Sequence, residues 1–163
     1  MTTRPVSLLV GLLYLIASMS VVAAPPSKPL LEGTVSGSEV CPQSWCTNGA
    51  IFVGTFTGKV SGKHTSGTSL VQVAHESLNT DVGGVTVVTG GSWIIRTKRG
   101  DFAGTILLGG QLTANDDDTF DVILQLQMTQ PTSATLTFTG LLDHSGLDDF
   151  PPTLPTFMGT ISQ

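Results

Sequence analysis

The sequence predicts a closed antiparallel β-barrel of about eight strands, with a β-sandwich as the alternative. No ten-residue stretch shows helical periodicity, and eight or nine short segments at regular spacing have the character of strands. A five-residue pattern also occurs four times, in which the first residue is aromatic, the third is glycine and the fifth is apolar. Its copies are Phe52-x-Gly54-x-Phe56, Phe102-x-Gly104-x-Ile106, Phe138-x-Gly140-x-Leu142 and Phe157-x-Gly159-x-Ile161.

The glycine of this pattern favours the barrel over the sandwich. Alternate residues of a strand share a face, so each copy places an aromatic ring, a glycine and an apolar side chain on one side. The opposite side of the same segments is rich in threonine. A strand must coil sharply to close a small barrel. An inward glycine permits that bend, and the neighbouring aromatic ring covers the gap.

The N-terminus predicts export. Arg4 precedes an apolar run at 6–16, and small residues follow, which is the layout of a signal peptide over residues 1–23. The run is shorter than the roughly 20 apolar residues of a spanning helix, so no membrane span is expected after cleavage. Residues 24–29 are predicted to be an extended leader and residues 30–163 a single barrel domain. We therefore expect a secreted, periplasmic or extracellular protein.

The predicted strands follow one another through short connections. A cysteine loop follows the first strand, 58–67 is a turn or mobile loop, and Gly90-Gly91 is a two-residue hairpin turn. Arg99-Gly100-Asp101 and 115–118 are further turns. The strands themselves are predicted at 30–40, 50–60, 68–77, 85–89, 92–98, 102–112, 120–129, 135–142 and 155–162.

The two cysteines, Cys41 and Cys46, are predicted to form a disulfide that closes a small loop, as is usual in an exported chain. A metal pair is the alternative, but it lacks a second pair of ligands at a recognisable spacing. A redox-active pair would have the shorter Cys-x-x-Cys spacing.

Acidic residues gather at one predicted end of the barrel, because the turns of a meander alternate between its two ends. The turns at 115–118 and 143–154 lie together, opposite the turn at 99–101. Clustered carboxylates can bind a hard cation, and the candidate ligands are Asp116, Asp118, Asp143 and His144. Their spacing is not that of an EF-hand, and Asp is common in turns for conformational reasons, so no metal or other cofactor is predicted.

Charge and motifs disfavour several function classes. Without Arg4, the chain has six Lys and Arg and twelve Asp and Glu. Nucleic-acid binding is not expected of so acidic a chain. The histidines His64, His75 and His144 show no metal-ligand spacing, and Ser145 lacks a nucleophile-elbow context. No catalytic motif is found.

Inward glycines could leave space for a ligand, because they omit side chains from the barrel interior. An apolar interior would then take a small apolar ligand. The alternative is that large neighbouring side chains fill the space. The residues predicted to line the cavity are Phe52, Gly54, Phe56, Trp93, Phe102, Gly104, Phe120, Phe138, Gly140, Phe157 and Gly159.

Some outward positions are apolar as well. If they cluster on adjacent strands they mark a partner surface, which is compatible with a homo-oligomer. These positions are Ile51, Val53, Ile94, Leu107 and Ile123.

The expected architecture resembles, at the level of fold alone, the lipocalin-like barrels and the barrels of dirigent proteins and allene oxide cyclases. The chain carries no motif of these families, so no functional residue is transferred. The leading hypothesis is a secreted, non-enzymatic barrel that binds a small apolar ligand or a partner. The alternatives are an isomerase or cyclase that shapes a ligand in the lumen, and a structural, envelope-associated protein.

Overall fold

The structure is a computed structural model that describes residues 30–40, 48–146 and 153–163. These residues are all-β, with nine strands and no helix among them. The strands are β1 (Leu31–Glu39), β2 (Gly49–Val60), β3 (Lys63–His75), β4 (Val85–Thr97), β5 (Gly100–Ile106), β6 (Gly110–Ala114), β7 (Thr119–Gln130), β8 (Ala134–Asp143) and β9 (Thr156–Ser162). The predicted signal peptide (1–23), the leader (24–29) and the predicted disulfide of Cys41 and Cys46 lie outside the described residues.

Eight strands close into an antiparallel barrel in the order β1, β2, β3, β4, β5, β7, β8 and β9. The first and last strands close the ring, because Val35 of β1 lies opposite Phe56 of β2 on one side and Gly159 of β9 on the other. The ninth strand, β6, stands outside this ring of eight and pairs with β4 and β7, the same two neighbours as β5. The predicted closed antiparallel barrel of about eight strands is confirmed.

The interior follows the period of two that the sequence predicts. In β9, for example, Phe157, Gly159 and Ile161 are buried, and the residues between them are exposed. Side chains from all nine strands meet in one core, which burial of apolar surface stabilises. The largest fully buried apolar side chains are Phe56, Phe102, Leu31, Ile95, Met128, Leu136, Val35 and Val88.

The inward glycines lie where strands approach one another too closely for a side chain. A methyl carbon at Gly104 would overlap the carbonyl oxygen of Gln127 on β7. Gly33 and Gly58 lie opposite each other on β1 and β2, and the ring of Phe56 comes within 2.8 Å of where a Cβ of either would be. The ring of Phe56 therefore covers these two glycines, and the ring of Phe138 lies in the same way against Gly140 and Gly159, two of the four glycines of the sequence pattern.

The connections divide between the two ends of the barrel. We call one end the acidic end; β1, β3, β6 and β8 end there, and it carries the connections 76–84 and 115–118. The opposite end carries the turns at Ser61–Gly62, 98–99 and 131–133. The turn at 115–118 therefore lies at the same end as Asp143 and His144, as the meander predicts.

Three local predictions differ from the structure. Gly90-Gly91 is not a hairpin turn: β4 continues through it and changes partner there, from β6 before it to β5 after it. Both glycines have positive φ, 145° and 149°, which allows this bend inside a strand. The single strand predicted at 102–112 is two strands in the structure. β5 ends at Ile106, and β6 begins at Gly110 and pairs with the earlier part of β4. The loop predicted at 58–67 is a two-residue turn, in which Ser61 and Gly62 both have positive φ.

Candidate functional site

A cavity lies inside the barrel, in the half toward the acidic end. The centre of a water-sized sphere can move through about 80 Å³ of it. Most of its wall is apolar and comes from the strands and from Leu78 in the connection between β3 and β4. The wall includes Phe52, Val73, Trp93, Leu124, Phe138 and Phe157, together with three polar residues, Glu39, His75 and His144.

Glu39 and His144 form a contact at the wall of this cavity. Glu39 is the last residue of β1 and continues the inward positions of Leu31 and Val35. His144 follows β8, and its backbone N–H donates to the carbonyl oxygen of Asp118 at 3.0 Å. The Nε2 atom of His144 lies 3.1 Å from Oε2 of Glu39. Because a carboxylate can only accept, Nε2 carries the proton in this contact.

The two side chains are held from several directions. The backbone N–H of Glu39 donates to the carbonyl oxygen of Pro155 at 2.8 Å, which ties the end of β1 to the start of β9. The imidazole of His144 packs edge-on against Phe120, with the ring centroids 5.3 Å apart. The side chains of Glu39 and His144 are 9% and 19% exposed, so the pair is largely shielded from solvent. Such shielding strengthens the attraction within the pair.

His75 is a third polar side chain in the cavity wall. It ends β3 at a β-bulge, where the register against β4 shifts between Ala74 and His75. Its Nδ1 lies 2.6 Å from the backbone oxygen of Glu76. A carbonyl oxygen has no proton to give, so Nδ1 must carry the hydrogen. In neutral His75 the remaining nitrogen, Nε2, is therefore a hydrogen-bond acceptor.

Two buried polar atoms lack a hydrogen-bond partner within the described residues, Nε1 of Trp93 and Oγ of Ser69. Trp93 belongs to the cavity wall and is 3% exposed. Ser69 lies on the neighbouring strand β3, on the same face as Val71 and two residues before it. Val71 is the residue opposite Trp93. A buried donor without a partner costs free energy, on the order of 1–3 kcal/mol. The cavity wall therefore includes a residue whose donor has no partner among the described residues.

Only some of the residues that the sequence predicts to line a cavity are in its wall. Four of the aromatic residues, Phe52, Trp93, Phe138 and Phe157, are in its wall. The others lie elsewhere: Phe56, Phe102 and Phe120 are in the packed core. A side chain at any of the four glycines would meet a neighbouring strand, so the glycines bring strands together and do not open the cavity. These glycines are Gly54, Gly104, Gly140 and Gly159.

Sequence reasoning missed the polar residues of the wall. Glu39 extends the inward series of β1, and His75 extends the inward series of β3 through Val71 and Val73. Charged or titratable residues at predicted inward positions are the signal that could have found them. The sequence suggests His144 only as a candidate metal ligand, and its contact with Glu39 is not expected from spacing.

The carboxylates of the acidic end take part in their own turns. Oδ1 of Asp143 accepts hydrogen bonds from the backbone N–H and the hydroxyl of Ser145, at 2.9 and 2.6 Å. These bonds lower the pKa of Asp143 below its usual value, and His144 adds a smaller effect in the same direction. Asp118 has a left-handed backbone, with φ of 58°, which suits a turn. Within the described residues, no three His, Cys, Asp or Glu form a group that could hold a metal ion.

An apolar row crosses the outside of the barrel. Val53 of β2, Leu70 of β3 and Ile94 of β4 lie side by side in the register, and Ala103 of β5 follows. Val53 and Leu70 are 48% and 45% exposed. Three of the outward apolar positions singled out in the sequence therefore cluster around Leu70, because Ile51 lines the same surface pocket as Leu70 and Ile94. Ile123 on β7 and Leu107, which follows β5, lie apart from this row.

No protein-family model, curated protein or solved structure matches this chain. The described residues also include no helix of the length and apolarity that crossing a bilayer requires. Function is therefore inferred from the cavity and its wall.

Proposed function

We propose that the protein binds a small, mainly apolar ligand in the cavity of its barrel. The observation that carries this proposal is a largely enclosed space in an otherwise packed interior, with a wall of aliphatic and aromatic side chains. Cavities of this kind bind apolar molecules because the ligand leaves water and gains packing contacts. The signal-peptide pattern of residues 1–23 supports the further proposal that binding takes place after export.

The size of the cavity limits the ligand. The 80 Å³ open to the centre of a water-sized sphere is room for several non-hydrogen atoms of a ligand. That is the size of a benzene derivative or of a short aliphatic chain. A long fatty acid or a steroid would require the wall to move.

Filling the cavity is expected to abolish binding. Val73 is in the wall and 6% exposed, so Val73→Phe places a ring in the ligand's space. We expect at least a tenfold weaker Kd for toluene, measured by ¹H–¹⁵N NMR titration, with a stability change of about 1–2 kcal/mol or less. Val53→Phe, the same replacement on the outer face, is the matched control and should bind toluene like the wild type.

Two results would contradict the proposal. In the first, saturating toluene leaves the resonances of the wall residues unchanged in the wild-type protein. In the second, Val73→Phe and Val53→Phe bind toluene equally well.

The contact between Glu39 and His144 favours a second candidate function, an isomerase or cyclase. A carboxylate and an imidazole beside an apolar cavity can move a proton on a bound molecule, and shielding from water supports such chemistry. Solvent deuterium that enters a C–H position of a retained ligand in the wild type, but not in Glu39→Gln, would favour this function over binding alone. No such exchange in either protein would favour binding alone.

A further inference from the structure

The polar atoms of the wall specify the ligand more closely than the apolar ones do. We propose that the ligand carries one hydroxyl group, which donates a hydrogen bond to Glu39 or His75; this inference rests on the proposed binding in the cavity. The ligand class is thus a small alcohol or phenol with an otherwise apolar body.

Two side chains of the cavity wall carry a hydrogen-bond acceptor that has no partner among the described residues. The hydrogen bond of His75 to the backbone oxygen of Glu76 fixes the proton on Nδ1, which leaves the lone pair of Nε2 for another partner. Within the described residues, Nε2 of His75 makes no hydrogen bond. Oε2 of Glu39 faces His144, while Oε1 has no partner among the same residues. Both side chains belong to the cavity wall.

A wholly apolar ligand would leave these acceptors without a hydrogen-bond partner. Such a ligand displaces water from the cavity and offers no hydrogen bond in return, so the acceptors remain unsatisfied beside it. A ligand with an O–H group replaces the lost bond with water. The polar wall therefore discriminates against a hydrocarbon of the same size and in favour of a donor.

A hydroxyl fits this wall better than a charged group does. A carboxylate on the ligand would face the carboxylate of Glu39 and be repelled. An ammonium group would bring a further charge into an enclosed apolar space, which is costly. A hydroxyl is uncharged, and its oxygen can also accept, which suits a wall in which the indole N–H of Trp93 has no partner in the described part of the chain.

Three probes of similar size test this inference. Phenol donates a hydrogen bond, anisole only accepts one, and toluene does neither. Titrations of the wild-type protein followed by ¹H–¹⁵N NMR should give a Kd for phenol about tenfold lower than those for toluene and anisole, as one hydrogen bond to a charged or buried acceptor predicts.

A variant assigns the effect to the wall. Glu39→Gln keeps the shape of the side chain and replaces a carboxylate oxygen by an N–H₂ donor, so the ratio of the anisole Kd to the phenol Kd should fall at least threefold. Glu32→Gln is the matched control on the same strand, because Glu32 pairs with Lys59 at a partly exposed site. The control should keep the wild-type ratio.

Each other outcome has a definite meaning. If toluene binds as tightly as phenol, the hydroxyl inference is overturned and the proposed binding function stands. If anisole binds as tightly as phenol, hydrogen-bond donation by the ligand is overturned. If the ratio is the same in Glu39→Gln, donation to Glu39 is overturned and His75 is the acceptor. If none of the three probes binds, the proposed function itself fails. The comparison of probes on the wild-type protein decides the matter even if Glu39→Gln does not fold.

Discussion

Gly104→Ala is expected to destabilise the barrel severely. The added methyl group would overlap the carbonyl oxygen of Gln127, a backbone atom that is fixed by the pairing of β5 with β7. Relief requires the two strands to separate, and overpacking against backbone costs about 3 kcal/mol or more. Leucine at this position should be worse still. The measurement is the free energy of unfolding from urea denaturation.

Thr105→Ala is the control for Gly104→Ala. Thr105 is exposed on the outer face of the same strand, so its truncation should cost no more than about 1 kcal/mol. If Gly104→Ala unfolds at the same urea concentration as Thr105→Ala, the explanation of the inward glycines as points of close strand approach is wrong.

Phe56→Ala is expected to have a comparable effect for the opposite reason. Phe56 is fully buried, and its ring fills the space beside Gly33 and Gly58. Neither glycine has a side chain that could move into the space, so the replacement leaves a cavity. The expected loss is roughly 3–5 kcal/mol in the free energy of unfolding, again measured by urea denaturation.

The neighbouring outward residue supplies the control. Thr57 is exposed on β2, and Thr57→Ala should change the stability by about 1 kcal/mol at most. A loss below about 1 kcal/mol in Phe56→Ala would mean that the ring does not fill the space beside the glycines.

Much of the barrel could be predicted from local pattern. Alternation identifies strands because only a strand places every second side chain on one face. The fourfold aromatic and glycine pattern also predicts closure, since Phe56 and Phe138 cover pairs of glycines that face each other across neighbouring strands. These features involve residues that are only two positions apart in the chain, so they can be recognised from the sequence.

The error at Gly90-Gly91 has a different origin. A glycine pair between two apolar segments fits a hairpin turn as well as it fits a bend inside a strand. The bend is decided by partners far away in sequence, β5 and β6, which share one side of β4. No local pattern around residue 90 carries that information.

The candidate site was predictable only in part. Its apolar wall follows from the inward positions of the strands, and four of the predicted aromatic residues are in it. The contact of Glu39 with His144 joins residues 105 positions apart, through the pairing of β1 with β9 and of β9 with β8. That contact depends on how the barrel closes, and spacing along the chain does not reveal it.

The most direct test of ligand binding inside the barrel is a crystal structure of the protein under xenon pressure. Xenon binds in apolar cavities without needing a specific contact, so it reports whether the space inside the barrel accepts a ligand. We expect xenon density inside the barrel, in contact with Val73, Trp93 and Leu124 of the cavity wall. A barrel whose interior is filled by its own side chains, with xenon only on the outer surface, would contradict the proposed binding.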